Sequence, residues 1–145
     1  MDPQLLGIIF FHKHPTSARV CYLRSAAGSV VLGATLPDSA TLIDEETTLE
    51  KEEVVANHPA MTLCSLADDM ELEVSGFELI KDFRARLDVP GEIMPIYLAQ
   101  FKSIDPPFAA AEKIAAKFIA ITEARALPSV ELQLLQKSYQ YIMEG

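Results

Sequence analysis

The run Leu5 to Phe11 is apolar throughout and rich in Ile and Phe. Seven such residues are too few for a helix without caps, and they predict a strand buried on both faces near the centre of a sheet. His12 to Ser17 is a polar break containing a proline. Beyond it Ala18 to Arg24 alternates, with Val20 and Tyr22 set against Arg19 and Cys21, which predicts a second strand. Ala26-Ala27-Gly28 introduces a third, Ser29 to Ala34, so the first part of the chain reads as a three-strand meander closed by Pro37-Asp38-Ser39.

The middle of the chain is mixed. Thr47 to Glu50 matches a capping box, in which each side chain satisfies the other's free backbone amide, and predicts a short helix over Thr48 to Asn57. His58-Pro59 stops it. Thr62 to Leu66 and Met70 to Val74 read as strands, the second with Leu72 and Val74 on one face and Glu71 and Glu73 on the other. Val89-Pro90-Gly91-Glu92 puts proline and glycine at the centre of a type II turn, making Phe83 to Phe101 a hairpin. On its first arm Arg84 and Arg86 alternate with Phe83, Ala85 and Leu87. Its second arm, Ile93 to Phe101, is more apolar and belongs deeper in the sheet.

From Asp105 the period changes. Asp105-Pro106-Pro107 supplies an N-cap acceptor and a proline at the first helical position, followed by an alanine-rich stretch. On a helical wheel Phe108, Ala111, Ile114, Ala115, Phe118, Ile119, Ile121 and Ala126 share one arc, opposite Glu112, Lys113, Lys117 and Glu123. This favours one long helix from Pro106 to Ala126 over the competing reading, a short helix followed by a parallel strand at Lys117 to Thr122. Leu127-Pro128-Ser129 breaks the chain, and Ser129 to Met143 predicts a last helix with Leu132, Leu135, Tyr139 and Ile142 on one stripe and Glu131 in its first turn. The expected fold is a single α+β domain over residues 1–145. Its mostly antiparallel sheet, of about six strands, packs against a C-terminal helical hairpin, with a short acidic helix inserted.

Composition adds modest constraints. The chain has 145 residues, half of them hydrophobic and 23% charged, as in a single globular domain. The slight apolar surplus admits burial against a second copy, hence a homodimer. Cys21 and Cys64 are too few for a disulfide-dependent secreted domain and are expected as reduced thiols. Met-Asp-Pro-Gln before the apolar run lacks the positive region of a signal peptide, and seven residues do not span a bilayer. A cytoplasmic protein without a membrane segment is expected.

Charge is unevenly spread. Thr35 to Ser75 holds eleven acids and one base, a sum of −10, while the segments before and after it carry +2 and −1, giving −9 for the chain. So concentrated an acidic segment repels nucleic acid and selects for a basic partner protein. Asp44, Glu45, Glu46 and Glu50 have a structural reason at the start of the expected acidic helix, where amide dipoles favour negative charge. Glu52, Glu53, Glu71 and Glu73 have none, and are the candidate partner-binding residues.

Chemistry-bearing motifs are sparse. His12 and His14, two apart near a strand end, point to one face and are candidate ligand-binding residues, as are Arg84 and Arg86, which can receive a carboxylate or phosphate. No third ligand stands at metal-site spacing, so no metal is assigned. The chain has no Gly-x-Ser-x-Gly elbow, no Gly-rich phosphate loop and no Cys-x-x-Cys, so neither catalytic residues nor a cofactor follow. Two functions remain. One is an accessory protein that docks a basic partner through residues 35–75; the other is a small enzyme or ligand-binding domain using His12, His14, His58 and Arg86.

Overall fold

A computed structural model describes residues 6–14, 16, 19–26, 28–32, 41–42, 60–73, 76–80, 83, 85–89, 92–103 and 105–144. It is an α+β protein with one mostly antiparallel sheet. Seven strands are present among these residues: β1 (Gly7–Lys13), β2 (Val20–Arg24), β3 (Thr41–Leu42), β4 (Phe77–Leu79), β5 (Ala85–Val89), β6 (Glu92–Phe101) and β7 (Lys117–Ala120). They run in the order β3-β5-β6-β1-β2-β7, with β4 also on β6. Three helices accompany them, α1 (Ala60–Asp69), α2 (Phe108–Lys113) and α3 (Ser129–Glu144), and a 3-10 segment spans Ile121–Ala126. No helix among the described residues is long and apolar enough to cross a membrane.

The doubly apolar run is central, as its composition requires. β1 pairs in parallel with β6, from Gly7↔Ile96 to Phe11↔Gln100, and antiparallel with β2, from Phe11↔Tyr22 to Lys13↔Val20. Ile8 and Phe10 face one layer while Ile9 and Phe11 face the other. Gly7 is required where it stands, because a Cβ there would collide with Val31 Cγ1 and press on Ile96 and Met94. The expected hairpin forms as well: β5 and β6 pair antiparallel up to Val89↔Glu92, with Phe83, Ala85 and Leu87 buried. Pro95 falls one residue before the parallel pairing with β1 begins, so it costs that ladder no donor. β4 continues the line of β5 along β6 after an interruption: from Leu79↔Ala99 to Ala85↔Ile96 one side advances six residues and the other three.

Four expectations are corrected. The segment after Gly28 is not a full third strand, since within the described residues it meets β1 at one bridge, Ile8↔Leu32, and the far side of β2 is taken by β7. Thr62 to Leu66 lies in α1. Leu63, Leu66, Ala67 and Met70 recur at helical spacing across the boundary between the two expected strands, and this stripe packs on the sheet. Met70 to Glu73 is accordingly the turn that ends α1. Residues 106–126 are not one helix: α2 stops at Lys113, and β7 pairs antiparallel with β2 from Cys21↔Ala120 to Arg24↔Lys117. Finally, α2 and α3 form no helical hairpin, because they pack on opposite faces of the sheet. The acidic helix expected over 48–57 lies outside the described residues.

Both missed helix ends share one cause. At the end of α1, Leu72 N–H donates to Ala67 O and Glu71 N–H to Asp68 O; at the end of α2, Ala116 N–H donates to Ala111 O and Ala115 N–H to Glu112 O. These are paired Schellman bonds, which need a left-handed residue at the position glycine commonly fills. Here it is Glu71 (φ 58°) and Ala115 (φ 57°). Neither helix end therefore carries the glycine that commonly marks such a stop in a sequence.

Candidate functional site

The two histidines are held apart in function by their partners. His12 is buried on β1, and its Nε2 lies 2.9 Å from the carbonyl of Ser103, just past the end of β6. A carbonyl only accepts, so Nε2–H donates and the ring ties two strand ends together. His14 lies outside the strand, where its Nδ1 accepts from the Thr16 amide at 3.3 Å and meets the Thr16 hydroxyl at 3.2 Å. No group of three or more His, Cys, Asp or Glu able to hold a metal is found among the described residues.

Arg86 is half-buried on β5 opposite Pro95. Arg84, Glu52 and Glu53 lie outside the described residues, as does His58. Glu71 and Glu73 are exposed in the turn after α1, next to exposed Asp68 and Asp69 at its end. Glu71 reaches Lys113 Nζ at 3.2 Å, joining the last residue of α2 to the residue that caps α1. Cys64 is exposed on α1 and Cys21 is half-buried on β2; both are free, and burial pushes the Cys21 thiol up to about 11, away from thiolate reactivity.

Buried polar groups hold α3, among them Glu131, whose first-turn position is legible in the sequence but whose burial is not. The carboxylate of Glu131, 4% exposed, accepts from the Val30 amide and the Ser29 hydroxyl, both at 3.0 Å. Ser138 donates to Leu135 O at 2.9 Å, so its single proton is used and the buried Tyr22 hydroxyl donates to it across 3.0 Å. Burial raises the Tyr22 phenol to about 12. Glu131, Leu134, Leu135, Ser138 and Ile142 form the buried stripe of α3. Two of its five members, Glu131 and Ser138, are polar, so a purely hydrophobic pattern does not mark the stripe.

A concavity of about 590 Å³ opens where β2 and β7 end, lined by Arg24, Ser25, Ala26, Gly28, Glu112, Ala115, Ala116 and Lys117. The turn after β2 shapes one wall: Gly28 N–H donates to Ser25 O, Ser25 N–H donates to Ser29 O, and Gly28 takes φ +89°, a left-handed conformation that glycine adopts without steric cost. Arg24 Nε donates to Gly28 O at 3.1 Å and fixes its guanidinium on that turn. The left-handed Ala115 and the start of β7 form the opposite wall. In sequence the chain matches no known family model and no curated protein.

Proposed function

We propose that the protein is a non-catalytic binding protein that docks a basic partner protein through the acidic segment 35–75. The observation that carries this reading is the described end of that segment. Asp68, Asp69, Glu71 and Glu73 all stand exposed around the C-terminus of α1, and Lys113 is the one cation found in a salt bridge there among the described residues. A helix C-terminus already carries partial negative charge, so these carboxylates deepen a field that draws in cations rather than answering one. Exposed carboxylates at a helix end suit fast, salt-sensitive association with Lys- and Arg-rich surfaces. Glu52 and Glu53 belong to the same acidic segment of the sequence and are included in the proposed contact. It is read as a cytoplasmic protein, with no affinity for nucleic acid, able to pair with a second copy of itself.

The test is a defined probe. A fluorescent Lys/Arg-rich peptide should bind at low ionic strength and be released as salt rises past about 0.15 M, where the screening length falls to about 8 Å. Replacing Glu52, Glu53, Glu71 and Glu73 together by glutamine should weaken binding at least about tenfold, the equivalent of about 1.4 kcal/mol. Equal binding by wild type and the quadruple variant at low salt, or equal binding of an acidic control peptide, overturns the reading.

A further inference from the structure

We propose that the concavity between the ends of β2 and β7 binds a small oxyanion, the phosphate or carboxylate group of a polar small molecule, through Arg24 and Lys117. The two cations stand directly opposite each other in the antiparallel register, Arg24↔Lys117. Like charges so placed destabilise a strand pair unless an anion lies between or beside them. The protein supplies a carboxylate at the same cavity, Glu112, yet among the described residues neither cation forms a salt bridge with it. Three charges thus converge on one space without pairing to each other.

Arg24 is set up for such a ligand. Its Nε–H is spent on Gly28 O, which holds the planar group in place, while its Nη nitrogens make no hydrogen bond with the described residues. A guanidinium fixed in this way presents two donors at the spacing of an oxyanion's oxygens, and Lys117 adds a mobile point charge. The cavity volume falls within the roughly 300–1,000 Å³ of small-molecule sites. Glu112 gives the site a sign on its other side: it favours a ligand with a hydroxyl or amino donor beside the anion, and its charge weakens, without preventing, the binding of an anion that lacks one. This site is separate from the acidic segment and does not depend on the partner proposed above.

The experiment is an amide-resolved NMR titration of the full chain at constant ionic strength, with inorganic phosphate in one arm and succinate in the other. Saturable shifts confined to Arg24–Gly28 and Ala115–Lys117 are expected, and the arm that saturates at lower concentration tells phosphoryl from carboxylate recognition. Lys117→Gln, an exposed change that leaves the strand pairing intact, should weaken the stronger probe about tenfold, one charge-assisted bond being lost. Glu112→Gln should tighten it. Shifts that do not saturate or that spread over every cationic patch, Lys117→Gln titrating like wild type, or Glu112→Gln weakening the probe each overturn the proposal.

Discussion

The two faces of the sheet are closed by different means. On one, the 16-residue α3 lies over Ile9, Phe11, Tyr22, Leu87, Met94, Ile96 and Leu98, and its position is set by buried polar ties from Tyr22 to Ser138 and from Glu131 to the Ser29–Val30 backbone and hydroxyl. On the other, α1 and α2, of ten and six residues, cover Ile8, Phe10, Leu23 and Ala99, and both end on a left-handed residue that is not glycine. Five of the seven phenylalanines stand on this second face. Phe10 contacts Phe77 and Phe101 with centroids 5.7 and 5.5 Å apart, and Phe118 bridges Phe101 to the exposed Phe108 at 5.7 and 5.6 Å. A long helix can be fixed by a few directional bonds. Short helices, marginal on their own, depend on the bulk beneath them.

The largest expected effect tests the aromatic face. Phe10→Ala should cost about 3–5 kcal/mol, read from urea unfolding, since it leaves a cavity where three rings meet. A loss under about 1 kcal/mol would mean that this face is held by something other than its rings. Next comes the polar anchor of α3: Glu131→Ala strands the Val30 amide and should cost about 1.5–3 kcal/mol. If it proves neutral, the two faces do not differ in the way described.

Tyr22→Phe sharpens the contrast through pH. The folded phenol stands near 12 against an ordinary value of 10.0, so folding favours its neutral form; that contribution is whole below pH 10 and is lost as pH rises through 12. At pH 7 the variant should lose about 0.5–1.5 kcal/mol, the worth of one hydrogen bond. From pH 10 upward its stability should fall less steeply than wild type, the residual slope including Cys21, whose thiol is displaced in the same direction. Parallel urea midpoints at pH 8, 10 and 11 decide it, and identical slopes would remove Tyr22 as a titrating group. The smallest effect has the opposite sign. Ala115→Gly relieves a left-handed alanine at the end of α2 and should stabilise by about 0.5–1 kcal/mol, after allowing for glycine's greater chain entropy. No change in midpoint would show the turn to be unstrained.

What could be read in advance follows the same division. β1, the β5–β6 pairing and α3 each state their structure over a contiguous run, by double-faced apolarity, by a Pro-Gly centre between alternating arms, and by a proline-bounded amphipathic stretch. The second face does not. Residues 108–126 fit a helical wheel well, yet the chain turns at Ala115 and pairs with the edge of β2, where Phe118 joins Phe101 and Phe108. Leu63, Leu66, Ala67 and Met70 carry a helical period that spans two short apolar runs, each of them strand-like taken alone. The candidate cavity was hidden altogether, because Arg24, Glu112 and Lys117 are ordinary charges until β2 and β7 lie side by side.

By itself, the sequence determines the class of the fold, the burial of β1, the hairpin, the last helix and the uneven charge, since each rests on local periodicity or simple summation. Tertiary structure alone decides where α1 and α2 stop, that β7 is a strand, which helix covers which face, and which charges meet. The physical reason is that a short amphipathic segment is nearly balanced between helix and strand on its own. A free sheet edge with unpaired amides and carbonyls, or an aromatic cluster lacking one ring, is enough to tip that balance.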